Sequence, residues 1–118
     1  AQLILQKGYW NGLQLIPADF IEQMITPAKS SLTRPRFRND ELNYGFQIWL
    51  NTKSANGKVP LKDLPENAIF MLGHYGQTVG IFPSEKMIIL RSADDRERLD
   101  RNKFFNEILT WAKKQNSL

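Results

Sequence analysis

Cysteine is absent from this 118-residue sequence, and histidine occurs once, at His74. Without cysteine there is no disulfide scaffold, no thiolate metal site and no cysteine nucleophile. The compartment stays open, because many exported proteins also lack disulfides. A single histidine, with no helix bearing paired ligands, cannot assemble a tetrahedral or facial site, so no metal is expected. Neither GxxxxGK nor GxGxxG occurs, and Gly73, Gly76 and Gly80 lie beside strand-like segments rather than ahead of a helix. That leaves no phosphate loop and no expected cofactor. No apolar run approaches the roughly 18 residues that a membrane helix needs. The opening Ala1-Gln2-Leu3-Ile4-Leu5-Gln6-Lys7 is too short and wrongly flanked for a signal peptide. A serine nucleophile is missing too: none of Ser30, Ser31, Ser54, Ser84, Ser92 or Ser117 sits in GxSxG or has a lysine three residues on.

The residues present are enough for a core. Hydrophobic residues make up 42% of the chain and include three tryptophans, so a single globular domain over residues 1–118 is expected. The start lacks methionine and opens inside an apolar, helix-compatible pattern with no capping residue before it, which reads as the C-terminal fragment of something longer. A net charge of +4 comes from 16 basic and 12 acidic residues. Basic residues concentrate at Lys29, Arg34, Arg36 and Arg38 around Pro35, where an anionic polymer or surface has a foothold. Asp40 and Glu41 follow at once and only Phe37 is interleaved, a pattern that reads first as a solvated loop.

Residues 2–7 read as the end of a helix closed by Gly8, followed by a turn at Asn11-Gly12 and a short apolar stretch from Leu13 to Ile16. Pro17 opens a second helix, in which Phe20, Ile21, Met24 and Ile25 recur at helical spacing until Thr26-Pro27 stops it. Residues 28–41 read as a long loop and a candidate flap. A first strand is predicted over 44–50, with Phe46, Ile48 and Leu50 on one face and Gln47 and Trp49 on the other. A turn-rich excursion over 51–66 precedes strands at 68–72, 77–82 and 87–91, the last two joined through Pro83-Ser84-Glu85-Lys86. A charged stretch from Asp94 to Arg101 leads into a helix from about Asp100 to Gln115, with Phe104, Phe105, Ile108, Leu109 and Ala112 in one stripe. The predicted class is α+β: an antiparallel sheet of about four strands, N-terminal helices, a C-terminal helix packed on the sheet, and one core.

Within that scheme Gly73-His74-Tyr75-Gly76-Gln77 stands out, because it alone joins histidine, tyrosine and two glycines where a strand begins. Such a place can aim a backbone amide outward as an oxyanion donor. Read on spacing alone, His74 and Tyr75 are first of all polar residues at the start of a strand.

Three segments resemble the serine β-lactamase and penicillin-binding-protein superfamily, in its branch of class C-like esterases, peptidases and amide hydrolases. Lys7-Gly-Tyr-Trp-Asn-Gly-Leu-Gln-Leu-Ile-Pro17, followed by Phe20 to Pro27, is similar to that family's G-x-W-x-G-x-x-L-I-P segment, its helix and its T-P. Leu42 to Leu50 is similar to its Y-G-[FY]-x-W strand. Gly73 to Gln77 stands where the family carries its third motif, Lys-Thr-Gly or His-x-Gly. The resemblance implies an enzyme with an acylated SxxK serine, a YxN tyrosine and lysine that handle the proton, and a third motif lining the cleft. By position His74 replaces that motif's lysine, Tyr75 its threonine, Gly76 its glycine, and Gln77 the residue whose amide completes the oxyanion hole. Tyr9-Trp10-Asn11 matches YxN only as letters, since the family's motif belongs upstream of this segment. Histidine lacks the fixed charge that lysine offers a substrate carboxylate, which points to an esterase or amidase rather than a true β-lactamase.

The function expected on these grounds is the C-terminal portion of a serine hydrolase acting on a small ester, amide or peptide-like substrate, inactive alone. Its partners would be the remainder of the hydrolase chain and, through a surface that remainder would cover, a second copy of itself. No nucleic acid and no membrane span are expected. The family permits a periplasmic or secreted protein whose signal peptide would lie upstream. The rival from another class is a basic binding module, with Arg34, Arg36, Arg38, Tyr44 and Trp49 on an anionic polymer.

Overall fold

Gly8 and the pair Asn11-Gly12 shape the first sixteen residues. In the computed structural model, which describes residues 1–94 and 98–117, a short helix α1 (Gln2–Leu5) ends where the Gly8 amide donates to Leu3 O at 2.8 Å. Gly8 has φ +83°, and a Cβ there would lie 2.0 Å from Ile16 O. Asn11 and Gly12 follow with φ +47° and +82°, the paired left-handed conformations of a two-residue type I′ hairpin. They join strands β1 (Tyr9–Trp10) and β2 (Leu13–Gln14). Pro17 then heads helix α2 (Ala18–Met24), and a third short helix, α3 (Lys29–Thr33), follows.

The main sheet has five antiparallel strands in chain order: β3 (Asn43–Tyr44), β4 (Trp49–Leu50), β5 (Ile69–Leu72), β6 (Thr78–Phe82) and β7 (Met87–Arg91). The class is α+β, but the single strand predicted over 44–50 is two strands with a reversal between them. Gly45 donates to Ile48 O at 2.9 Å and Gln47 turns with φ +57°. The reversal also docks on α2: Phe46 N–H donates to Met24 O at 3.0 Å, and a Cβ on Gly45 would lie 2.2 Å from that same oxygen. Phe46 therefore leaves the expected core face and stands 53% exposed beside Phe20, while Ile48 and Leu50 stay buried.

Both faces of the sheet are covered, so the one expected core is two clusters. Leu42, Phe70, Phe82 and Ile89 meet Phe105 and Leu109 of helix α4 (Arg101–Asn116) on one face. Gly80 permits that approach, since a Cβ there would lie 2.9 Å from the Phe105 ring. On the other face Ile48, Leu50, Ile69 and Ile81 pack against Ile4 and Leu5 of α1 and against Met24 and Ile25. The charged stretch expected over 94–101 lies partly outside the described residues, at 95–97. Beyond it, Asp100 caps α4 by accepting from Lys103 N–H at 3.0 Å.

Candidate functional site

Residues 73–77 form the connection between β5 and β6. Gly73 N–H donates to Gln77 O at 2.8 Å, and a single 3-10 turn over His74–Gly76 closes the loop. Tyr75 and Gly76 both take the left-handed conformation, with φ +54° and +83°. For a tyrosine this conformation costs about 1 kcal/mol or more and is kept only where surrounding contacts impose it. Those contacts come from Gln77, from Thr78 of β6, from Arg91 at the end of β7 and from Ala93 just beyond it. The Gln77 side chain clasps the backbone of Ala93 from both ends, Nε2 donating to its carbonyl and Oε1 accepting its N–H at 3.2 Å. Arg91 donates to Gly76 O at 2.8 Å, and Thr78 Oγ1 to the same carbonyl at 3.2 Å. His74 and Tyr75 are exposed, their rings edge to face with centroids 4.1 Å apart.

The four predicted site residues thus share one braced turn at an end of the sheet. The Gln77 amide, expected as an oxyanion donor, donates within the turn to His74 O at 3.3 Å. That is a long bond, and a substrate oxygen would compete for the same hydrogen. Next to the turn, the row Met71–Val79–Leu90 crosses β5, β6 and β7 on the face that α1 and α2 cover farther along. Here the cover is lacking: Met71 is 38% and Leu90 69% exposed.

The segment 28–41 is not the free loop expected. Ala28 N–H donates to Tyr44 O at 2.9 Å, and the buried Ser31 hydroxyl accepts Tyr44 N–H at 2.7 Å. Arg36 donates to Glu41 O, to Asn43 Oδ1 and, at 3.3 Å, to Ser31 O. Burial lowers its guanidinium pKa, Arg34 adds to the effect and Glu41 opposes it. The Glu41 carboxylate holds Arg34 at 3.1 Å and accepts the amides of Phe37 and Arg38, both at 3.2 Å. Arg38 faces Asp40 at 3.6 Å. Arg36 therefore directs its donors inward while Arg34 and Arg38 pair with carboxylates at the surface, and Phe37 projects furthest, 93% exposed.

Tyr9, Trp10 and Asn11, which spell YxN, lie on the β1–β2 hairpin. Sequence reasoning passed over Arg91, Ala93 and Arg101. Arg91 was legible as the residue cross-strand from Thr78, once the β6–β7 register was known. Among the described residues, no helix is long and apolar enough to cross a membrane, and no group of three His, Cys, Asp or Glu residues is placed to hold a metal. No protein-family model matches the chain, and no curated protein matches it.

Proposed function

We propose that this chain is the C-terminal portion of a serine hydrolase of the class C β-lactamase-like kind, contributing part of its β-lactamase/transpeptidase-like fold and its third active-site motif. The reading rests on the resemblance of three segments and on one structural observation that carries it. His74 and Tyr75 are displayed on a turn whose left-handed backbone is braced from outside by Gln77, Arg91 and Thr78. A preorganised backbone with exposed polar side chains suits a transition-state binding site, where one oxyanion donor is worth about 2.7 to 4 kcal/mol. The bare Met71–Val79–Leu90 row beside the turn supports the same reading, because it offers an apolar seat for the part of the hydrolase that would bring the nucleophile.

In this mechanism a serine supplied by the rest of the hydrolase attacks an ester or amide carbonyl. The developing oxyanion takes the Gln77 N–H in place of His74 O, and His74 and Tyr75 orient the substrate from the rim. Collapse of the intermediate breaks the ester C–O or amide C–N bond and releases the alcohol or amine with the serine's proton. Water then cleaves the acyl-serine, giving a carboxylic acid and the free serine hydroxyl. The test is to label the endogenous protein carrying this segment with a fluorophosphonate probe and measure its intact mass. A labelled chain far heavier than 13.7 kDa is the expected result. An unlabelled 13.7 kDa chain would sink the enzyme reading.

A further inference from the structure

The α4 side of the sheet carries a second site, separate from the His74 turn. A cavity of about 310 Å³ opens between the 28–41 segment, β4, the end of β5 and the first turn of α4. Its apolar wall is Leu42, Trp49 and Leu72. Its polar wall holds three guanidiniums, Arg34, Arg38 and Arg101, against two carboxylates, Asp40 and Glu41. Glu41 is engaged by Arg34, and Asp40 is shared between Arg38 and Arg98. Among the described residues Arg101 makes no ion pair, and its buried Nε has no hydrogen-bond partner. Its position at the first residue of α4 worsens the imbalance, because helix N-termini carry partial positive charge and favour anions. Burial lowers the Arg101 pKa most of all, with Asp40 opposing and Arg98 and Arg38 reinforcing the shift.

We propose that this cavity binds an apolar monocarboxylate, the carboxylate paired with Arg101 and the organic part lying against Trp49 and Leu72. A planar carboxylate matches the donor fork of the Arg101 guanidinium, which lines the cavity and makes no ion pair among the described residues. A monoanion also matches the surplus of one positive charge among the lining residues, which a phosphate dianion would overshoot. The volume suits a small molecule at the lower end of ligand sites, or the last residue of a peptide with a free C-terminus. This inference does not depend on the hydrolase reading.

The test is an NMR titration of the isotope-labelled chain, following the Arg101 Nε–H and Trp49 indole N–H resonances. Benzoate should shift both saturably, whereas benzyl alcohol, of similar shape without charge, should shift neither. Arg101→Gln should weaken benzoate binding about tenfold or more, as expected for a lost charged hydrogen bond. Comparison of benzoate with a short peptide ending in phenylalanine, as free acid and as amide, separates a free acid from a chain terminus as the natural ligand. Absence of saturable shifts with both benzoate and the free-acid peptide would overturn the proposal. So would equal responses to acid and neutral analogue, or inorganic phosphate shifting Arg101 where neither carboxylate does. The wild-type comparisons stand even if the variant does not fold.

Discussion

Asn51 is fully buried, and its amide serves the chain at both ends. Nδ2 donates to Leu61 O and Pro65 O, each at 3.0 Å, and Oδ1 accepts Leu61 N–H at 2.7 Å. This one side chain organises an excursion that contains neither helix nor strand between β4 and β5. Asn51→Ala strands those backbone groups away from water, so urea unfolding should show a loss of about 3 kcal/mol. A change under about 1 kcal/mol would mean that water enters and replaces the amide. Nothing in the sequence sets Asn51 apart from Asn39 or Asn56, because its partners lie 10 to 14 residues ahead and meet it only in the folded chain. His74 gives the opposite case, an exposed residue recognised by its company of glycines and tyrosine. Under the proposed hydrolase reading, His74→Ala in the longer protein should leave the melting temperature within a degree or two while lowering kcat/KM about 10- to 100-fold. Unchanged kcat/KM would remove His74 from the site.

Helix α4 was the most legible element, since its apolar stripe is a local signal; that Asp100 caps it rather than beginning it came from the structure. Phe105, Leu109 and Ala112 are the residues it buries. Asp100→Ala removes the cap to Lys103 N–H and should cost about 1 kcal/mol in thermal or urea unfolding. An unaltered midpoint would show that the first turn is held by its packing alone. The 44–50 segment failed as a prediction for an equally physical reason. Its aromatic and β-branched composition fits a strand, but Gly45 meets Met24 O and folds the segment back on itself. The loop at 28–41 departed similarly, because it contains helix α3 and Arg36 hydrogen-bonds inward to Ser31, Glu41 and Asn43.

At the scale of the molecule, the sheet is covered by α4 on one face and by α1 and α2 on the other, except beside the His74 turn. The exposed Met71 and Leu90 make that corner an apolar seat for another surface. Light scattering at high protein concentration should therefore give a mass above 13.7 kDa, and Leu90→Lys should return it toward the monomer. A clean wild-type monomer would count against this role for the corner. The sequence alone determined what depends on neighbours along the chain: the α+β class, the Asn11-Gly12 turn, the three long strands, the C-terminal helix and the glycine-flanked His74-Tyr75 pair. Turn chemistry, periodicity and capping act over a few residues and can be read there. Only the tertiary structure decided how many cores form, which way Arg36 faces, what braces the Gly73–Gln77 turn and that, among the described residues, the buried Arg101 Nε has no hydrogen-bond partner. Arg36 depends on partners five to seven residues off and the others on contacts between residues far apart in the chain, where packing and charge pairing override local preference.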